Sequence, residues 1–141
     1  MVQGLPDWTK GIAVNVTAES AEYPTTIGTR PLGTIIVHNT VTPANQSDEI
    51  VSYTPPAGFR FYLAKANVFA NRSNYEGWIR TWIGDQDLGE RHILFWVPSV
   101  IEYPFDVFLD GDGTKKVKIT VRWSGWASEW ETTIFGELVK L

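Results

Sequence analysis

The stretch Tyr53-Thr-Pro-Pro-Ala-Gly-Phe-Arg-Phe-Tyr-Leu-Ala-Lys-Ala-Asn-Val-Phe-Ala70 constrains this chain more than any other. Pro55 and Pro56 fix φ and lack N–H donors, so neither belongs inside a sheet ladder. Gly58 accepts φ > 0 and closes the turn they begin. Beyond it Phe59, Phe61 and Leu63 share one face at period two, with Arg60 and Tyr62 on the other. After Leu63 the faces trade roles, and Ala64, Ala66 and Val68 become the apolar row. A switch of this kind predicts a bulge, or a strand passing between two packing environments. The stretch reads as the central strand of an all-β domain.

The rest of the chain supports that class. From Thr34 onward, β-branched or alternating runs recur between turn signals every 8–12 residues: TIIVHNTVT, Glu49–Thr54, Trp78–Ile83, His92–Val97, Tyr103–Leu109, Val117–Trp123 and Thr132–Leu141. Asn71–Asn74, Gly84–Gly89 and Asp110-Gly-Asp-Gly-Thr114 read as turns, the last as a hairpin turn. Gly136 in the final strand predicts a close backbone approach. No stretch has helical periodicity. About eight short strands predict a jelly-roll-like β-sandwich or barrel over residues 34–141. Residues 1–33 lack regular pattern and read as an extended N-terminal arm. Trp8, Ile12 and Tyr23 are costly side chains to leave in water, so docking of this arm is expected; a first strand with loops on the same subunit is the alternative.

Composition narrows the partners. The 141 residues carry a formal charge of -4, which argues against nucleic acid as a partner. With no cysteine, disulfides and thiolate metal sites are excluded. No apolar run is long enough to cross a bilayer as a helix, and no signal-peptide pattern opens the chain.

Motifs for chemistry are sparse. Asp110 and Asp112 resemble the start of a calcium loop, but the twelfth position is Val121 where a bidentate Glu is needed. A hairpin turn is the expectation there. His38 and His92 stand apart in apolar strands and read as hydrogen-bonded structural histidines. No nucleophile elbow and no phosphate loop is present. No catalytic residue, metal or cofactor is therefore expected, and the protein does not read as an enzyme. Seven Trp residues remain to be placed. Most are expected in the core or at a subunit interface, with Trp78, Trp126 and Trp130 as interface candidates. The alternative is a sugar-stacking platform, for which Trp126 and Trp130 are the best placed.

The segments Pro-Pro-Ala-Gly-Phe-Arg-Phe-Tyr-Leu63, Trp78–Ile83, Tyr-Pro-Phe-Asp106, Leu-Asp-Gly-Asp-Gly-Thr114 and Phe-Gly-Glu-Leu-Val139 resemble the small jelly-roll virion proteins of tailed bacteriophages. In size and layout the chain is most similar to the capsid decoration (cement) proteins of thermophilic phages. That resemblance implies a thermostable homotrimer bound to the major capsid protein on the capsid surface, made in the host cytoplasm. It also implies an N-terminal arm that reaches a neighbour. It implies no catalytic residue. A carbohydrate- or receptor-binding β-sandwich using exposed Trp or Tyr is the alternative.

Overall fold

A computed structural model describes residues 31–71, 76–125 and 127–141. Leu32–Leu141 forms one compact unit, so β structure begins close to where the sequence places it. Among the described residues nine strands run in chain order: β1 Pro31–Val41, β2 Glu49–Tyr53, β3 Phe59–Asn71, β4 Gly77–Ile83, β5 Gln86–Ile93, β6 Ser99–Glu102, β7 Phe108–Asp110, β8 Val117–Trp123 and β9 Glu129–Lys140. One sheet has the order β1-β9-β3-β6, with β7 also pairing β3; the other has the order β2-β8-β4-β5. The pairings nest: β1 with β9, β2 with β8, β3 with β6 and β7, and β4 with β5. This is a long hairpin rolled on itself, the jelly-roll sandwich that the strand spacing predicts.

β3 is the central strand, as expected. It pairs β9 from Phe59↔Lys140 to Asn71↔Glu129, and its other edge carries β6 and β7 end to end. The change of face after Leu63 is a bulge. The register shifts between Leu63 and Lys65, leaving Ala64 unpaired with β9. Phe61 and Leu63 are buried before it, and Ala66, Val68 and Ala70 after it. On the opposite edge the segment between β6 and β7 spans the same gap. Tyr103 N–H donates to Ala64 O at 3.0 Å, and Leu63 N–H donates to Val107 O at 3.1 Å. One inserted residue thus keeps both halves of an apolar strand aimed at one core.

Gly136 faces the bulge, opposite Leu63. A Cβ there would lie 2.3 Å from Phe61 Cζ and 2.3 Å from Tyr62 O, so the Phe61 ring packs where a side chain would stand. Between the sheets lie Ile50, Ile79, Ile93, Ile119, Ile134 and Trp130, all at or near zero exposure. Their strands alternate as read: Ile79, Thr81 and Ile83 point inward on β4, and Val117, Ile119 and Val121 on β8.

Four expectations are corrected. Gly84–Gly89 is not one turn, because β5 begins at Gln86. Seven of its eight residues are exposed and only Ile93 is buried, so this edge strand is held by backbone pairing to β4 and has no apolar alternation to read. His92–Val97 is not a strand, because the chain turns after Ile93 and Trp96 adopts φ 67°. Tyr103–Leu109 is broken, with β7 confined to Phe108–Asp110 and Phe105 92% exposed. Asp110–Thr114 is not a hairpin turn, since β7 belongs to one sheet and β8 to the other. That turn instead docks on the Pro55-Pro56 turn, with Gly111 N–H donating to Phe59 O at 2.7 Å and Gly113 N–H to Pro55 O at 3.3 Å. A fifth correction concerns a candidate residue. Trp130 is fully buried, edge-on to Phe95 with ring centroids 5.6 Å apart, because it sits on the inward face of β9. It is neither an interface residue nor part of a sugar platform.

Candidate contact surface

The outer face of the four-stranded sheet is clad by its own side chains. Alternation aims Trp78, Arg80 and Trp82 of β4 outward, and the register sets Arg122, Thr120 and Lys118 of β8 beside them. β5 contributes His92, Glu90 and Asp87 on the other flank. The Arg122 guanidinium lies 4.0 Å from the Trp78 ring centroid and donates through Nη2 to Glu90 Oε1 at 3.1 Å. His92 stands 5.4 Å from the same ring, and its Nε2 is 3.4 Å from Glu76 Oε2. Lys118 Nζ is 5.6 Å from the Trp82 centroid, and Trp82 Nε1–H donates to Thr120 Oγ1 at 3.0 Å. Arg80 pairs with Asp87. The hydrogen bond from Arg122 holds the Glu90 carboxyl below its ordinary range.

A shallow groove of about 220 Å³ crosses these rows, lined by Trp78, Arg80, Trp82, Glu90 and Lys118. Each cation–ring contact at an exposed site is worth about 0.5–1 kcal/mol. A ligand stacking on Trp78 would have to displace Arg122 and break its pair with Glu90. Trp78 is half-buried here, placed beneath a cation rather than offered as a bare ring.

The carboxylates of the Asp110–Thr114 turn are likewise engaged. Asp110 accepts from Arg60 Nη2 at 3.0 Å, which lowers its pKa. Asp112 Oδ1 accepts from Lys115 N–H at 2.7 Å, Thr114 N–H at 2.8 Å and Thr114 Oγ1–H at 2.9 Å. Those bonds, the Lys115 and Thr114 backbone donors foremost, bring it down to about 2. This is a self-capped turn, the Asx geometry that favours Asp in loops. Among the described residues no three His, Asp or Glu side chains cluster as a metal site would require. His38 is hydrogen-bonded on the outer face of the other sheet, with Nδ1 2.7 Å from Thr133 Oγ1 and Nε2 3.3 Å from Thr40 Oγ1.

The five-stranded sheet differs in kind. Its β6–β7 edge carries Leu94, Trp96, Val97, Val100, Phe105 and Phe108, six of the nine large apolar residues exposed among those described. All six come from one fifteen-residue segment. Trp96 and Leu94 are each 59% exposed and Val100 57%. The positive φ of Trp96 is unusual for a bulky residue and costs about 1–3 kcal/mol. Its N–H donates to Ala70 O at 2.9 Å, and its ring stands edge-on to Phe69 at 6.3 Å. Phe69, Pro98, Val100, Asn67, His38 and Thr133 line an adjoining groove of about 160 Å³. Asn67 Oδ1 is buried there without a hydrogen-bond partner. At the other end Phe108 packs on Tyr62 at 5.6 Å, with Arg60 3.9 Å from its ring centroid.

Of the candidates read from sequence, Trp8, Ile12, Tyr23 and Trp126 lie outside the described residues, as does the turn Asn71–Asn74 apart from Asn71. The structure brings Trp78 to a cation-covered face and Trp130 to the core, so it unites none of them in one site. The apolar edge was missed. Its signal was present: an apolar run closed by Pro98, and Phe105 flanked by Pro104 and Asp106, sit badly in any buried strand. The chain matches no family model and no curated protein.

Proposed function

We propose that this chain is a structural virion protein, a capsid decoration protein that binds the capsid exterior as a homotrimer and stabilises it. The observation that carries the proposal is the grouping of exposed apolar side chains on one sheet edge while the opposite sheet is sealed by its own ion pairs. Such a division suits a protein that works by contact area. Burying apolar surface contributes about 25 cal/mol per Å², so a bridge across several capsid subunits adds stability at each junction. Residues 1–30 would extend the bridge to a neighbour, and contacts made together release only when all open. Phage resemblance in the Pro-Pro-Ala-Gly turn and the terminal strand supports the same reading.

The sugar-binding alternative requires bare, coplanar rings. Trp130 is buried and Trp78 is capped by Arg122, which weakens it. The proposal further holds that the protein is not an enzyme and has no nucleic-acid or membrane partner.

The test is a phage genome from which this gene is deleted. Particles are expected to assemble but to release DNA at a lower temperature, and purified full-length protein should restore them. Protein lacking residues 1–30, a cut that spares β1, should restore them poorly. Particles of unchanged heat resistance and no binding of the purified protein would refute the proposal. Unchanged restoration by the truncated protein would remove the arm alone.

A further inference from the structure

We infer that the Leu94–Phe108 edge, strands β6 and β7 with their flanking turns, is the face on which a second copy of this chain packs. The inference deepens the proposed function, on which it rests for the existence of an oligomer; what it adds is the location of the subunit contact.

Area supports a protein partner of this size. A Trp or Phe side chain presents about 150–250 Å². With Trp96 59% and Phe105 92% exposed, the two rings alone offer about 300 Å². Leu94, Val97, Val100 and Phe108 bring the patch to the upper end of the ~300–600 Å² that monomers expose. A standard interface takes about 800 Å² from each partner. About 65% of that is non-polar where subunits are permanent. The apolar share of one half-interface is therefore already present on this edge.

Charge and backbone point to a partner like the chain itself. From Leu94 to Phe108 there are two acidic residues, Glu102 and Asp106, and no Lys or Arg. Arg60, which lies over Phe108, is already paired with Asp110, so a polyanion gains little here. β6 is four residues long and has β3 on one side only, so its outer N–H and C=O groups are unpaired by any described strand. The other described edge at this side of the sandwich, β5, is protected differently, by exposed Asp87, Glu90 and Arg91. Charged residues on one edge and apolar residues on the other are what distinguish an edge kept in solvent from one that is covered. Trp96 fits the same pattern. A bulky residue held at positive φ with its ring outward is destabilising in the isolated subunit, and a partner that buries the ring offsets it.

The experiment is light scattering with size separation on the purified full-length protein, over about 1–100 µM. Two substitutions suit the local backbone and leave the core untouched: Trp96→Asn, because Asn tolerates positive φ, and Phe105→Asp in an exposed turn. Leu141→Asp, an exposed apolar site away from this edge, is the control. Wild type and control are expected to hold more than one subunit, and the Trp96→Asn/Phe105→Asp double variant to run as a monomer with native near-ultraviolet circular dichroism. Amide exchange in residues 94–108 of the wild type should slow as concentration rises. A monomeric wild type overturns the inference, as does a double variant that keeps its subunit number, or a control that dissociates equally. Were the double variant to misfold, concentration-independent exchange in 94–108 of the wild type would overturn it on its own. These readouts need no capsid, so their failure is separable from failure of the heat-release test.

Discussion

Gly136→Ala probes the junction where the bulge, the core and the central ladder meet. The added methyl would lie 2.3 Å from Phe61 Cζ, 2.5 Å from Phe61 Cε1 and 2.3 Å from Tyr62 O. Ordinary contacts lie near 3.5–4.0 Å, so each gap must open by about 1 Å or more. The ring cannot swing away, because Phe61 is fully buried beneath Tyr53, whose centroid is 4.8 Å from its own. Tyr62 O belongs to the β3–β9 ladder and moves only with the strand. Overpacking of a tight core typically costs about 1–3 kcal/mol, and with one of the two obstacles a backbone atom we expect the upper end, about 3 kcal/mol. Urea unfolding should show it as a midpoint lower by roughly 1–3 M at unchanged slope. Combining the change with Phe61→Leu should recover about 1 kcal/mol relative to the sum of the single effects, since one obstacle shrinks while the carbonyl stays. A Gly136→Ala protein within 0.5 kcal/mol of wild type, or a strictly additive pair, would refute the packing account.

Trp130→Ala should destabilise by about 3–5 kcal/mol and remove the blue-most component of the tryptophan emission, because Trp130 is fully buried against Phe95. Arg122→Gln should leave stability close to wild type, as expected for an exposed ion pair, yet raise iodide quenching by uncovering Trp78; unchanged quenching would show that the cation does not shield the ring. Acid should loosen the Asp110–Thr114 turn. Asp112 titrates at about 2 folded against 3.8 as the ordinary value, so the unfolded chain binds its proton first. The stabilisation is therefore complete above about pH 4 and lost as pH falls toward 2, and Asp112→Asn should flatten the dependence of Tm on pH in that window.

The architecture was legible where one face of a strand is buried and the other wet. β8 alternates Val117, Ile119 and Val121 with Lys118, Thr120 and Arg122, and β3 shows even its bulge through the exchange of faces at Leu63. Two kinds of segment defeated the same rule. β5 is an edge whose side chains lie outside, so its polar string carried no period, only backbone pairing that sequence does not display. The segments at Leu94–Val97 and Tyr103–Val107 mix exposed Leu94, Trp96, Val97 and Phe105 with Phe95, Tyr103 and Val107 that touch the core, and a rule that equates apolar with inside reads them as strands. The same rule hides the exposed apolar edge. Trp78 and Trp130 look alike in sequence, and parity along β4 and β9 sends one outward beneath Arg122 and the other inward against Phe95.

The rolled hairpin also dictates when this protein can exist. β9 lies between β1 and β3, and β8 between β2 and β4. Each sheet is thus joined by a strand from the C-terminal part of the chain. Until β9 has been made, β1 has no neighbour among the described strands and one side of β3 is unpaired. The β4–β5 hairpin, the pairing of β6 and β7 with β3, and the insertion of β8 between β2 and β4 can all precede β9. Closure of the larger sheet is therefore a late event, in which Glu129–Lys140 is inserted between strands made long before it.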